Sequence, residues 1–374
     1  MTTLGNTARM SLLDRISQGQ SPKQRAISET MAALKRHHFS TIHDKMVNAE
    51  LGALLESISE ELRREPEANI AEDFPTLTPR GEVIRGGRIV IITGKSGVGK
   101  TRTVEHALRS RPELAGYGTE DDPMEVLPVV APAPFSLKSL GHEVLRRTGY
   151  PIHRDIRETQ VWPIVMARLR EIGTRILWID EAQHGDEIRD PEMAQKVKNT
   201  FKRILQDREH PVWLILSGTP ELSRFAQTDA SLQRRIRQVR LGSLSFPSHT
   251  GLIKGLITRC IEVCHGLSIG ADLMEDETAG RILHAAKGQF GTAVEFVQDA
   301  IRECLARNEA VLSVRHFAEV YAARMGVNDP DRNVFLTRHW DAIVVETALY
   351  DGSDDEAGFH AEDRVRRVRK GADE

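Results

Sequence analysis

The sequence predicts an α/β fold, in which a parallel sheet lies between helices, followed by a separate helical domain. Between residues 89 and 241, short apolar segments rich in β-branched residues alternate with segments of helical period, as in a doubly wound sheet. The first such segment, Ile89–Thr93, is β-branched throughout, which is typical of a strand covered on both faces. After Pro247 no further strand-like segment occurs, and helical periodicity continues to about Met325.

The chain is expected to have four parts. Residues 1–75 are predicted to form an N-terminal helical extension, 76–246 the α/β core, 247–326 a helical domain, and 327–374 a polar, partly disordered C-terminal tail. Within the core, strands are expected at Ile89–Thr93, Val126–Val130, 175–179, 212–216 and 238–241, and helices at 100–110, 136–148, 159–172 and 191–207.

Composition excludes several protein classes. The chain has 374 residues, of which 40% are hydrophobic and 28% charged, as in ordinary soluble proteins. It has no run of about eighteen apolar residues that could cross a membrane, and its N-terminus lacks the apolar core of a secretory signal. We therefore expect a cytoplasmic protein. Cys260, Cys264 and Cys304 lie in apolar, helix-like surroundings, and we expect buried reduced thiols rather than disulfides or a metal site.

A glycine-rich segment directly follows the first predicted strand. Its residues match the pattern G-x-x-x-x-G-K-[ST] between a strand and a helix: Gly94-Lys95-Ser96-Gly97-Val98-Gly99-Lys100-Thr101. Glycines let backbone N–H groups turn toward an anionic phosphate, and the N-terminus of the next helix adds partial positive charge. We expect this segment to bind ATP, with Lys100 on the β- and γ-phosphates and the Thr101 hydroxyl on Mg²⁺.

Two acids end the third predicted strand. Asp180 and Glu181 follow the apolar segment 176–179. Asp180 is expected to hold Mg²⁺ together with Thr101, through water. Glu181 comes one residue later, where a carboxylate can orient and polarise an attacking water. The alternative is that the two are ordinary surface acids.

The fourth predicted strand ends in hydroxyl side chains, in the run Ser217-Gly218-Thr219-Pro220. Either hydroxyl is a candidate for a polar contact in the nucleotide site. The same run is also favourable turn chemistry, which is the structural alternative.

Together these motifs resemble those of AAA+ ATPases, and in particular the TniB/TnsC family of transposition regulators, which are similar in role to MuB. The resemblance covers roughly residues 30–320. Its signature pieces are the glycine-rich segment, Asp180-Glu181-Ala182-Gln183-His184, Ser217-Gly218-Thr219-Pro220-Glu221-Leu222 and Gln233-Arg234-Arg235-Ile236.

The resemblance assigns further roles. It implies that the fourth strand lies between the strands carrying the two nucleotide motifs, and that Ser217, or else Thr219, contacts the water or the γ-phosphate. It also implies an arginine finger that completes a neighbouring subunit's site, with Arg235 the first candidate and Arg234 the second. Either arginine could instead bind DNA or a surface acid. The helical domain is then the lid of the nucleotide site.

One expected motif of that lid is incomplete. Many AAA+ lids carry Gly-x-x-Arg, whereas this chain reads Gly288-Gln289-Phe290-Gly291. The missing arginine suggests slow or partner-dependent turnover.

The resemblance also implies partners. It predicts homo-oligomeric rings or filaments on double-stranded DNA, selection of a target site, and recruitment or activation of a transposase together with a target-selector protein. Lys138 and Ser136 follow the second strand, where such proteins contact the DNA backbone. Ser136 is equally suited to capping a helix. Residues 196–240 contain ten basic and four acidic side chains. The tail, with Phe335 and Trp340, is either a transposase-binding peptide or a disordered end.

Two other functions fit the same motifs. One is a cargo-remodelling ATPase of the secretion or helicase-loading kind, which would hydrolyse ATP strongly without DNA. The other is a nucleotide-gated signalling or defence scaffold, whose assembly would not respond to duplex DNA.

Overall fold

The computed structural model describes residues 19–63, 87–152, 156–185, 191–207, 209–223, 229–327 and 329–345. The chain forms two compact units. The α/β unit comprises residues 37–243 and 289–292. The helical unit comprises the residues before 37, including helix α1 (Pro22–Arg36), with 244–288 and those after 292.

A five-stranded parallel sheet forms the centre of the α/β unit. Its strands are β1 (Ile89–Thr93), β2 (Val126–Val130), β3 (Ile176–Asp180), β4 (Trp213–Gly218) and β5 (Ile236–Arg240). Their order across the sheet is β2-β3-β4-β1-β5. The predicted α/β class with a parallel sheet is confirmed, and β4 lies between β1 and β3 as the resemblance implied.

Helices cover both faces of this sheet. They are α2 (Ile42–Leu62), α3 (Lys100–Arg109), α4 (Leu137–Arg147), α5 (Glu158–Glu171), α6 (Pro191–Leu205) and the short α7 (Ala230–Gln233). Because alternate residues of a strand point to opposite faces, Val90 and Ile92 pack into the core shared with α2 and α3. Ile89 and Ile91 pack into the other core, with α4, α5 and α6.

Helix α2 is part of the core of the α/β unit. Its Leu51, Leu54 and Ile58 are buried in the same apolar cluster as Val90. The Ser57 hydroxyl accepts a hydrogen bond of 2.8 Å from the indole nitrogen of Trp213 on β4. The predicted N-terminal extension is therefore divided, because α1 belongs to the helical unit and α2 to the α/β unit.

Several predicted boundaries differ from the observed ones. Strand β5 begins at Ile236 rather than 238, and α6 ends at Leu205 rather than 207. Strand β5 is at the edge of the sheet, and its Arg237 and Gln238 are exposed. Polar side chains are common on edge strands, so the hydrophobic pattern marks such a strand weakly.

Among the residues that the structure describes, the helical unit contains four further α-helices: α8 (Thr250–Val263), α9 (Asp276–Ala285), most of α10 (Phe290–Ala306) and α11 (Val314–Met325). It also contains two short parallel strands, β6 (Ser268–Ile269) and β7 (Val311–Leu312). The prediction that no strand follows Pro247 is therefore wrong. Strands of two residues are too short to produce a period in the sequence.

The three cysteines are buried, as predicted. All three lie in the helical unit. Burial raises the pKa of the Cys260 thiol and raises the pKa of the Cys264 thiol to about 11. In both cases burial disfavours the thiolate form.

The segment 329–345 packs against the helical unit. Phe335 is buried and contacts the rings of Phe317 and Tyr321, while Trp340 contacts Phe246 and His284. The part of the predicted tail between 329 and 345 is therefore packed within the helical unit, and Phe335 is buried there rather than exposed. The charged end 351–374 lies outside the described residues. No described helix is both long enough and apolar enough to span a bilayer.

Candidate nucleotide-binding site

The candidate site lies at the carboxyl ends of β1, β3 and β4, which adjoin because the strands are parallel and adjacent. The Gly94 amide, directly after β1, donates to the Gly218 carbonyl at the end of β4 over 3.2 Å. The three segments singled out from the sequence therefore meet at one edge of the sheet. Such an edge is where parallel α/β proteins bind ligands.

The glycine-rich loop has the backbone that a phosphate cradle requires. Gly97 and Gly99 have φ of 79° and 99°, a region that residues with a Cβ adopt only under strain. At Gly94 a Cβ would lie 2.8 Å from Val98 Cγ1 and 3.0 Å from the Leu241 carbonyl oxygen. Each glycine of the pattern is thus needed either for its φ or for its lack of a side chain.

Lys100 begins α3 and is buried beneath this loop. Its Nζ donates to the carbonyl oxygens of Gly94 over 3.0 Å and Lys95 over 3.3 Å. Burial lowers the pKa of Lys100, and the negative charges of Glu181 and Asp180 oppose that shift. An ammonium held at the loop with only neutral carbonyls as hydrogen-bond acceptors fits an anionic ligand, which would stabilise its charged form.

Asp180 receives three hydrogen bonds. The Thr101 hydroxyl donates to Oδ2 over 2.6 Å, and the Ser217 hydroxyl donates to Oδ1 over 2.5 Å. The Glu181 amide donates to Oδ1 over 3.0 Å. A hydroxyl and a carboxylate side by side are oxygen donors of the kind that Mg²⁺ binds in phosphate-transfer sites. Thr101 and Asp180 therefore fit the predicted metal site.

Ser217 lies in the interior of the sheet, next to Asp180. It is fully buried, and its hydroxyl accepts from the Trp178 indole over 2.8 Å while donating to Asp180. A serine hydroxyl has one proton to donate, and here that proton is used on Asp180. In the structure the Ser217 hydroxyl is thus bound to Asp180 in the interior, whereas the half-buried Thr219 is nearer the surface.

Glu181 is held by its neighbour Gln183. Its φ is 53°, an unusual value for a residue with a side chain. The Gln183 amide nitrogen donates to the Glu181 carboxylate. The Gln183 amide oxygen accepts from the Thr219 backbone N–H over 3.2 Å. The predicted base is therefore connected to the end of β4 through one side chain.

Gly291, the position at which the Gly-x-x-Arg motif would have its arginine, packs directly against the glycine-rich loop. The amide of Thr292 donates to the Gly97 carbonyl over 3.1 Å. A Cβ at Gly291 would lie 2.5 Å from that same carbonyl oxygen. Residues 289–292 belong to the α/β unit, so this contact is part of the loop's own surroundings. Glycine at position 291 is therefore required by the close approach of two backbones.

The candidate arginine fingers lie elsewhere in the unit. Arg234 and Arg235 precede β5, at the amino end of the sheet, and the glycine-rich loop follows the carboxyl end of β1. Arg235 is half-buried and donates to the Gly87 carbonyl over 3.3 Å. Burial lowers its pKa, and Glu61 opposes that shift. Arg234 is exposed. Both residues thus lie toward the end of the sheet opposite the glycine-rich loop of their own chain.

The two candidate DNA-contact residues lie at the start of α4. Ser136 caps this helix, since its hydroxyl accepts from the Ser139 amide over 2.9 Å and the Ser139 hydroxyl reaches back to the Ser136 amide. The capping interpretation of Ser136 is thus confirmed. Lys138 is half-buried in the first turn of the helix.

Comparison with known proteins agrees with this geometry. A family model described as an AAA domain matches residues 84–225, which contain the glycine-rich loop, the acid pair and β4. The α/β unit has the AAA+ fold. A comparison with curated proteins finds no match.

Similar folds occur among solved structures. The ORC1 protein of Aeropyrum pernix, solved in complex with DNA, is 14% identical, with 81% of this chain and 70% of that chain covered and a TM-score of 0.52. Cdc6p of Pyrobaculum aerophilum is 12% identical, with 78% and 70% covered and a TM-score of 0.50. The ORC2 protein of Aeropyrum pernix is 14% identical, with 63% and 61% covered and a TM-score of 0.46. The chain thus spans less than two thirds of the ORC2 protein, and at these identities the similarity concerns the fold.

Sequence reasoning missed three contributors to the site. Trp178 supports Ser217, Gln183 holds Glu181, and Gly291 admits the backbone contact at Gly97. Gln183 follows the acid pair within the resemblance motif, so its position was a usable signal. Trp178 had the appearance of an ordinary apolar strand residue, because nothing in the sequence shows where an indole N–H points.

Proposed function

We propose that this chain binds ATP with Mg²⁺ at residues 94–101 and hydrolyses it. The observation that carries the proposal is the contact between Thr101 and Asp180. These residues are 79 positions apart in the sequence, yet their oxygens lie 2.6 Å apart. The buried Lys100 amine, whose pKa responds to the Asp180 charge, completes the arrangement. A phosphate cradle, a lysine and a pair of metal ligands are the parts that phosphoryl transfer requires.

Each residue then has a definite task. Backbone amides of the loop and Lys100 bind phosphate oxygens, and Thr101 and Asp180 hold the metal. When bound, Mg²⁺ neutralises charge on the phosphates. Glu181 orients the attacking water and accepts its proton. Ser217 keeps the Asp180 carboxylate in place from the interior of the sheet.

Two substitutions test the assignment of binding and hydrolysis. Lys100→Ala should weaken binding of a fluorescent ATP analogue at least about tenfold, because the loss of one charge-assisted contact costs about 1.5–3 kcal/mol. Glu181→Gln should lower phosphate release about 100-fold or more, as removal of a general base does, without weakening ATP binding. Lys45→Ala, an exposed lysine of α2, is the matched control. Undiminished ATP binding by Lys100→Ala would contradict the proposed site.

The proposal extends to assembly on DNA. The motif set resembles that of TniB/TnsC regulators, and ORC1, whose fold is similar, was solved with DNA. We infer that the ATP-bound chain forms rings or filaments on duplex DNA, selects a target site and recruits or activates a transposase, with a target-selector protein as a further partner. Lys138, at the start of α4, is the candidate phosphate contact.

Electron microscopy with a non-hydrolysable ATP analogue, with and without duplex DNA, tests this extension. Assemblies that require both ligands are expected, and Glu181→Gln should still assemble with ATP. Assembly that needs nucleotide but ignores duplex would favour the scaffold function. Strong ATP turnover without any DNA-dependent assembly would favour a cargo-remodelling ATPase.

The arginine finger belongs to the same proposal. Because Arg234 and Arg235 precede β5 at the amino end of the sheet, we infer that one of them acts in a neighbouring subunit's site. Lys100→Ala subunits keep both arginines, and subunits that carry both Arg234→Ala and Arg235→Ala keep the lysine. A mixture of the two kinds of subunit should recover part of the hydrolysis. Mixtures as inactive as their components would count against a shared site.

A further inference from the structure

Gln183 connects two parts of the candidate site that the sequence motifs treat separately. Its amide nitrogen donates to Glu181, and its amide oxygen accepts from the Thr219 backbone. One primary amide therefore contacts the proposed base and the carboxyl end of β4. A side-chain amide is suited to this, because it carries a donor and an acceptor at one end.

The space for this amide depends on Gly218. A Cβ at Gly218 would lie 2.5 Å from the Gln183 amide oxygen and 3.1 Å from the Gln183 backbone nitrogen. The φ of Gly218 is not in the left-handed region, so the backbone there does not itself require glycine. The absence of a side chain at position 218 is explained by the passage of Gln183.

The geometry points to Gln183 as a positioning residue for Glu181, one that fixes the carboxylate relative to the end of β4. A general base works when a third group orients it. Glu181 needs such a group, because it follows the strand in a loop with φ of 53° and its side chain is only half-buried. This inference rests on the proposed role of Glu181 in hydrolysis, and it names the residue that sets the geometry of that role.

Three variants test the two hydrogen bonds of the Gln183 amide. Gln183→Met keeps the length of the side chain and removes both hydrogen bonds. Gln183→Glu keeps an acceptor for the Thr219 amide but cannot donate to Glu181 when ionised. Gly218→Ala keeps the Gln183 side chain and puts a methyl group 2.5 Å from its amide oxygen. Gln195→Met, the same substitution on an exposed glutamine of α6, is the matched control.

All three variants should lower kcat for ATP hydrolysis by about 10- to 100-fold, the usual effect of removing a partner that orients a functional side chain. The Kd of a fluorescent ATP analogue should change less than about twofold, since Lys100 and Thr101 are untouched. Adding Gly218→Ala to Gln183→Met should lower kcat little further, because both substitutions act through the hydrogen bonds of the same amide. The control should behave as the parent.

The outcomes distinguish a failure of the proposed role of Glu181 from a failure of the proposed role of Gln183. If Glu181→Gln still hydrolyses ATP, the proposed role of Glu181 fails, whatever Gln183 does. If Glu181→Gln is inactive while Gln183→Met keeps the parental kcat or exceeds it, the positioning role is refuted. An equal loss of kcat and ATP affinity in Gln183→Met would also refute it, because that pattern reflects general damage to the site.

Discussion

Ser217→Ala tests whether Ser217 supports Asp180 from the core or contacts the reacting groups. The hydroxyl accepts from the Trp178 indole over 2.8 Å and donates to Asp180 over 2.5 Å. Removing it leaves a buried indole N–H without an acceptor, at a cost of about 1–3 kcal/mol. It also removes one of three hydrogen bonds to a carboxylate, worth about 1.5–3 kcal/mol for a charged partner. We expect a loss of about 2–4 kcal/mol in the free energy of unfolding, since such contributions are seldom fully additive.

The chain offers a matched comparison at a second buried tryptophan. Ser57 accepts from the Trp213 indole over 2.8 Å and donates to a backbone carbonyl, with no carboxylate involved. Ser57→Ala should therefore cost only about 1–3 kcal/mol, the part due to the unpaired indole. The excess of the Ser217→Ala loss over the Ser57→Ala loss measures the support given to Asp180.

Urea unfolding followed by circular dichroism supplies these values from the shift in midpoint at a common slope. A double-mutant cycle then isolates the indole. In a Trp178→Phe background, Ser217→Ala should cost about 1–2 kcal/mol less, because no indole N–H is left unpaired. A change below about 0.5 kcal/mol for Ser217→Ala in the parent, combined with a large loss of hydrolysis, would refute the supporting role. The direct contact with water or γ-phosphate predicted from the sequence would then be favoured.

Three further predictions concern the α/β unit. Thr101→Val keeps the size of the side chain but removes the hydroxyl, so the Mg²⁺ concentration that gives half-maximal hydrolysis should rise at least about tenfold, and an unchanged value would remove Thr101 from the metal site. Gly291→Ala should weaken ATP-analogue binding, because its Cβ would lie 2.5 Å from a loop carbonyl; parental binding would show that the loop adjusts freely. Lys138→Ala should weaken DNA binding and reduce the slope of log K against log salt by about 1, whereas Lys45→Ala should leave the slope unchanged.

The sequence predicts the sheet well where its strands are buried on both faces. In β1 and β3 nearly every residue is apolar, so the run of β-branched and apolar residues marks the strand directly. The short β6 and β7 have no such signal, and β5 carries polar edge residues. The apolar stripe of α2 predicts a helix, but periodicity does not say which surface that stripe covers.

In the candidate site, too, some features could be predicted from the sequence and others could not. Thr101 and Asp180 could be paired in advance, because their motifs imply a shared metal. The burial of Ser217 could not be predicted, since a hydroxyl at the end of a strand is equally compatible with a contact to the water or γ-phosphate, a turn, or a buried support. Its role depends on Trp178, whose N–H direction is a tertiary property. Gln183 is a similar case, because its function depends on the space left by Gly218.

Gly291 changes the meaning of the incomplete lid motif. From the pattern alone, a missing arginine indicates a lost contact and slow or partner-dependent turnover. In the structure, a Cβ at position 291 would lie only 2.5 Å from the Gly97 carbonyl oxygen, and the next amide, from Thr292, donates to that same carbonyl. An arginine could enter only if this backbone contact opened. Gly291→Arg should therefore weaken ATP-analogue binding at least as much as Gly291→Ala does. Faster hydrolysis in Gly291→Arg would instead mean that the position is a vacant arginine site.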